Sequence, residues 1–219
     1  MDTFESGAAL CAPFLEQLPV AGVSISVVSR GGAQSTVGTS DLIASRLEEL
    51  QFQLGEGPSV DVLASGRLLL VDDLADEVVS AGWPVFAPAA VATGARALFT
   101  LPLSMSAATV GVVSLYALVL RPPWSELLVQ AAVALCATTG PSAVELAVSS
   151  ALAEPAAGRQ QTELRREVHQ AAGMVTVQLD CSIEAAMSRL RAYAFVEDLP
   201  LDFVARQVVA GRLDFGSLA

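Results

Sequence analysis

The sequence predicts an α+β domain, a sheet with helices packed on it, followed by a small unit of three helices. Three observations predict it. Short apolar runs of strand length alternate with longer stretches of helical spacing across residues 1–152. A break, Ala153–Gly158 (Ala-Glu-Pro-Ala-Ala-Gly), then interrupts the chain, so residues 153–161 read as a linker or helix continuation. Beyond it, over residues 162–215, apolar stripes recur at three- and four-residue spacings, with no strand-like alternation.

The elements follow in order. Leu10, Phe14, Leu15 and Leu18 give the first twenty residues a helical face. Val23, Ile25 and Val27 alternate with Ser24, Ser26 and Val28, the pattern of a strand, and Gly31–Gly32 turns the chain into a return strand at 34–37. Ile43, Leu47 and Leu50 mark a helix over 42–53, and Leu68–Val71 is a short buried strand. Residues 83–93 read as one helix with Pro84 in its first turn. Residues 97–103 and 109–118 are two apolar strands, and 124–152 a helix that Pro141 breaks or kinks. In the last third, Ser182 is an N-cap with Glu184 in the first turn behind it, and Pro200 opens a further helix.

Composition narrows the function classes. With 53% apolar and 16% charged residues in 219, the chain carries ample core and no sign of global disorder. The apolar run at 111–120 is about half a membrane span, and Gly140–Pro141 interrupts the longer one, so a cytoplasmic protein off the membrane is expected. Asp2 and Glu5 lie ahead of the apolar stretch that starts at Ala8, with no basic residue among them, unlike a signal peptide. Three widely spaced cysteines, Cys11, Cys136 and Cys181, show neither a disulfide framework nor metal spacing. His169 is the lone histidine and no nucleophile elbow accompanies it, so neither an enzyme nor a cofactor is expected. The acidity is uneven: five arginines face fifteen acids up to residue 158, and seven face eight from 159 onward. An acidic whole opposes nonspecific nucleic-acid binding, which leaves the arginine-richer tail as the place for a local basic face.

Several groups admit two readings. Gly55–Glu56–Gly57–Pro58 is either the rim of a small-molecule pocket or a tight turn, the simpler account. Trp83, Phe86, Phe99 and Tyr116 are candidates to line an apolar ligand cavity, or are plain core. The acids Asp72, Asp73, Asp76 and Glu77 lack the pattern of a cation-binding loop, and no metal site is expected. Leu164, Val168, Ala171 and Val175 repeat at 4, 3, 4, the spacing of a coiled-coil seam; the stripe either pairs with a second copy in a homodimer, our working expectation, or packs within the tail. Gly173, costly inside a helix, suggests close packing of another helix there.

Two ordered sets of phrases resemble known families. Residues 20–150, through Leu47–Pro58, Val71–Leu74, Trp83–Phe86, Gly94–Ala97, Leu101–Leu103 and Gly111–Tyr116, resemble a GAF domain, an antiparallel sheet with helices and a sensory role. The tail, through Arg165–Val175, Ser182–Ala186, Leu190–Ala194 and Val204–Val209, resembles the three-helix ANTAR module of bacterial transcription antiterminators. The pair implies a signal-responsive antitermination regulator with an unidentified small-molecule ligand at its first domain and hairpin loops of nascent leader RNA as the partner of its second.

Loop RNA is gripped by guanidinium groups and flat side chains. Arg191 and Tyr193 match the family's Leu–Arg–x–aromatic/small–Ala stretch, and Arg189, Arg165, Arg166, His169 and Arg206 extend the candidate surface. Many GAF relatives carry cysteine where this chain has Ser59, so thiol-based sensing does not carry over. ANTAR relatives usually carry lysine where Ala172 stands, which removes a cation and keeps a second reading open: a sensory, dimerising scaffold whose tail no longer binds RNA.

Overall fold

The computed structural model describes residues 3–29, 32–106, 108–120, 124–152 and 160–218, with backbone alone at 3–5 and 160–164. The chain divides into two compact units: the first holds every strand and the helices up to residue 152, the second the helices from 160 onward. Most of the expected linker lies outside the described residues.

The first unit runs α1 (Thr3–Gln17), β1 (Gly22–Val28), β2 (Gln34–Thr39), α2 (Leu42–Leu54), α3 (Pro58–Ser65), β3 (Leu69–Val71), α4 (Glu77–Gly82), α5 (Phe86–Ala92), β4 (Ala97–Met105), β5 (Ala108–Ala117) and α6 (Glu126–Leu152). Its five strands pair antiparallel in the order β2-β1-β5-β4-β3. Alternation assigns each side chain to a face. Ile25, Val113 and Leu101 form one cross-strand row, and Val23, Leu115 and Phe99 the next. With Cys11, Phe14, Leu135, Cys136 and Ala143 of α1 and α6 they make a continuous aliphatic core. The opposite face is covered by α2, α3 and α5, where Leu47, Leu50, Phe86, Ala90, Leu98 and Tyr116 pack together.

Two expectations change. The helix expected over 83–93 is confined to α5, with Trp83–Val85 a turn before it. An unexpected helix, α4, precedes that turn, started by Asp76, which accepts from the amides of Val78 and Val79. Helix α6 runs through Gly140–Pro141 without the expected break, and both halves are anchored on the sheet, by Leu135 and Cys136 before the proline and Ala143 after it. This helix is long and apolar enough to cross a membrane by length and composition alone, a test that a sheet-packed core helix also meets.

The second unit is α7 (Gln160–Leu179), α8 (Ile183–Val196), α9 (Leu201–Val209) and a 3₁₀ turn, Phe215–Ser217. Ser182 caps α8 through the Ala185 amide. Val168, Ala171 and Val175 of α7, Ala186, Leu190 and Ala194 of α8, and Val204, Ala205 and Val208 of α9 are the buried stripes of this unit. Gln178 accepts from the amide of Phe215 and ties the 3₁₀ turn back to α7.

Candidate functional site

On the face covered by α2 and α3, the middle of the sheet is polar. Ser24 of β1, Ser114 of β5 and Thr100 of β4 are in register as one row of hydroxyls across the three central strands. Thr100 and Ser59 both hydrogen-bond the Ser114 hydroxyl, at 3.2 and 2.9 Å. Ser59 sits in the first turn of α3, and its amide donates to Gln51 Oε1 at 2.7 Å. A turn earlier on α2, Glu48 accepts from Ser26, from Ser24 (3.4 Å), from Gln34 Nε2 (3.0 Å) and from Thr36 (3.5 Å). All of these except Gln34 and Thr36 are buried, Glu48 and Gln51 at 1% exposure. Burying a carboxylate is costly unless donors surround it, and four do here.

The Gly55–Pro58 segment positions this cluster. Gly55 caps α2 in the left-handed region (φ 67°), and Gly57 (φ 114°) leads into α3 at Pro58. A Cβ on Gly57 would fall 2.8 Å from Gln51 Cγ and Oε1 and 3.0 Å from Phe86, so the glycine lets the backbone close over the glutamine. Glu56 accepts from the amides of Val85 and Phe86 at 3.1 Å and fixes the start of α5.

The four aromatic pocket candidates do not form one wall. Phe99 faces α1 and α6 on the other side of the sheet, its ring 4.5 Å from that of Trp124. Phe86 and Tyr116 are core on the α2 and α5 side. Trp83 lies half-buried, edge-on to Phe86 at 6.3 Å, with Nε1 donating to Asp61. Tyr116 donates to Asp41, the N-cap of α2; burial, then this bond and the carboxylate charge, raise the tyrosine's pKa above its usual value. Burial likewise pushes the Cys11 thiol to about 12, with help from Asp41, and the Cys136 thiol to about 12. In the acidic run, Asp76 is a helix cap and Asp73 pairs with Arg96 at 3.3 Å. Among the described residues, no group of three or more histidine, cysteine or acidic side chains could hold a metal ion.

In the second unit the candidate residues separate. Arg166 and Arg189 are exposed; His169 and Arg191 are half-buried, and burial lowers the Arg191 pKa. Arg189 and Arg191 are two residues apart on α8 and point to different flanks, so Arg189, Arg191 and Tyr193 do not share one face. Tyr193 is half-buried, in an edge-type contact with Phe215 whose ring centroids are 5.4 Å apart. Arg206 is exposed but pairs with Asp202 at 2.8 Å and with Glu167 at 3.9 Å. Arg165 is buried and belongs to the packing of the unit.

The seam candidates Val168, Ala171 and Val175 are core of this unit, facing its other helices rather than a free edge; the side chain of Leu164 lies outside the described residues. Ala172 is also fully buried, so a longer side chain there would have to thread out between helices before reaching any phosphate. Gly173 is the reverse of its expectation: a Cβ there would meet nothing within 4 Å.

No family model matches the sequence. Among curated proteins, none matches it. Solved structures do. The GAF domain region of a Geobacter sulfurreducens PCA protein superposes with a TM-score of 0.51 at 17% identity, covering 64% of this chain and 90% of that one. A domain of a protein described as a two-component sensor histidine kinase, from Sinorhizobium meliloti 1021, gives 0.50 at 17%, covering 67% and 94%. The GAF domain of an Acinetobacter phosphoenolpyruvate-protein phosphotransferase gives 0.50 at 13%, covering 69% and 88%. The first unit has the GAF fold. Such likeness establishes fold alone.

Within this GAF unit, the sequence reading missed the hydroxyl row, although its signal is present. Each of the three central strands carries at least one serine or threonine at a position that alternation assigns to the same face: Ser24 and Ser26, Thr100, and Ser114. Alternation alone takes such positions as solvent-facing, and here helices cover them.

Proposed function

We propose that the chain is a signal-responsive transcription antitermination regulator of the cytoplasm. The GAF unit senses a small molecule, and the ANTAR-like unit binds hairpin loops of a nascent leader RNA and prevents a terminator from forming. No covalent chemistry is involved; the ligand favours one state of the protein over another, with a coupling of about 1–3 kcal/mol. The observation that carries the reading is a compact three-helix unit bearing exposed Arg166 and Arg189 beside half-buried Arg191 and His169, in the part of the chain least burdened by acid. Arg165 is better read as a packing residue, and Tyr193 as a half-buried ring engaged with Phe215. A homodimer, also proposed, requires a surface other than the buried Val168–Ala171–Val175 stripe.

The test is binding of the full-length protein to a double-hairpin leader RNA, titrated against salt, with Arg189→Ala and Arg191→Ala beside it. Affinity that falls with salt, and a salt slope reduced by about one in either variant, supports the reading. A second reading is a sensory, dimerising scaffold whose tail does not bind RNA. The engagement of Arg206 with two acids and the packing of Tyr193 on Phe215 favour it. Absence of binding at low salt by the full-length chain would decide for the scaffold.

A further inference from the structure

The amide of Gln51 is half used. Its Oε1 accepts from Ser59, but its Nε2, at a residue 1% exposed, has no hydrogen-bond partner among the described residues. A buried donor left unpaired is costly and calls for an acceptor that completes it. The hydrogen-bonded chain that starts at its Oε1 is polar and small, and the Phe86 ring lies against the neighbouring Gly57. Ser59 hydrogen-bonds Ser114, Ser114 hydrogen-bonds Thr100, and Glu48 lies one turn away on α2. The opposite sheet face fills its central strand positions with Val23, Ile25, Leu101, Val113 and Leu115, where this face carries Ser24, Ser26, Thr100 and Ser114.

The charges select the ligand class. Glu48 is the one buried charged residue among the described residues of this unit, and no arginine is buried beside it. A buried anion would meet a carboxylate and no counter-charge, which is unfavourable at low dielectric. A cation would find Glu48 already accepting from Ser24, Ser26, Gln34 and Thr36, while the group in need of a partner is a donor. We infer that the Gln51–Ser59–Ser114–Thr100 cluster is a binding site for a small, uncharged molecule that presents a carbonyl or hydroxyl oxygen to Gln51 Nε2. The inference rests on the sensing role proposed for the GAF unit and gives it a ligand class, polar and neutral rather than charged.

The test is nuclear magnetic resonance of ¹⁵N-labelled full-length protein, following the Gln51 side-chain amide during titration with three probes of similar size: acetamide, acetate and methylammonium. Acetamide is expected to shift that resonance saturably with a Kd of about a millimolar or weaker, as its few heavy atoms allow, and neither ion is expected to do so. Gln51→Leu, checked for folding by circular dichroism, is expected to weaken the acetamide response at the Thr100 and Ser114 backbone amides by about tenfold. A Gln51 resonance unmoved by acetamide, or moved equally by acetate, overturns the inference. So does a trapped water contacting Gln51 that acetamide never displaces. RNA binding by a preparation whose Gln51 amide stays silent would sink this inference alone and leave the RNA reading standing.

Discussion

Gly173 gives a prediction whose size follows from the structure and whose outcome bears on function. It lies inside α7, with an exposed surface in line with Arg166, Gln170 and Val177 at helical spacing. Its φ is not in the left-handed region, so an alanine meets no backbone strain. Beyond the backbone of its own helix, the added methyl would reach no described atom within 4 Å, so nothing is lost to crowding. Gly173→Ala should therefore stabilise the helical unit by the full difference in helix propensity, about 0.8–1 kcal/mol. For a unit of this size with its own transition, that raises Tm by about 4–8 °C. Thermal and urea unfolding followed by circular dichroism, at two protein concentrations tenfold apart, would read it. An unchanged or lowered stability refutes the open-space reading. A loss present only at the higher concentration would place a second copy against this face. A stabilised variant that no longer binds leader RNA would place the RNA there instead.

Other predictions follow from the buried groups of the GAF unit. Glu48→Ala removes the acceptor of four donors, two of them fully buried serines, and should cost about 3 kcal/mol in urea unfolding, whereas Glu48→Gln, which keeps an oxygen, should cost clearly less. Alkaline pH should destabilise the fold: the Cys11 and Cys136 thiols, raised from 9.0 to about 12, stay protonated in the native state while the unfolded chain loses those protons. Stability is then full below pH 9 and falls by about 1.4 kcal/mol per pH unit per thiol up to about 12, with Tyr116 adding in the same direction above its ordinary value, as urea midpoints at pH 8 and 11 would show. Of the three cysteines, the half-exposed Cys181 should react first with a thiol reagent at pH 8, and equal rates at Cys11 or Cys136 would contradict their burial.

What could be read from the sequence, and what could not, divides along one physical line. Periodicity is local, and it placed β1, α2, α8 and α9 closely, with the Ser182 cap at the start of α8. Asp41, which the periodicity of α2 did not require, starts that helix in the same way, because its oxygen reaches amides two and three residues on. The same local rule, applied to Asp76, would have found α4, but the acids around it drew the reading toward a solvated run. What periodicity cannot supply is the identity of whatever lies against a face. The 4-3-4 stripe of α7 reads the same whether a second chain or α8 and α9 cover it, and the chain's own helices do. Ser24, Ser26, Thr100 and Ser114 read as an outward face until α2 and α3 are laid over them, and only then does a solvated row become a buried polar layer that needs partners. The arginines show the converse. Arg189 and Arg191 are neighbours in sequence, yet the helix sends them to opposite flanks, and only Arg189 keeps company with Tyr193, one turn on. A surface that grips RNA with both must therefore wrap around α8 rather than lie along it. Equal losses of RNA affinity in Arg189→Ala and Arg191→Ala would require that wrapping, and a loss in one alone would name the flank that faces the loop.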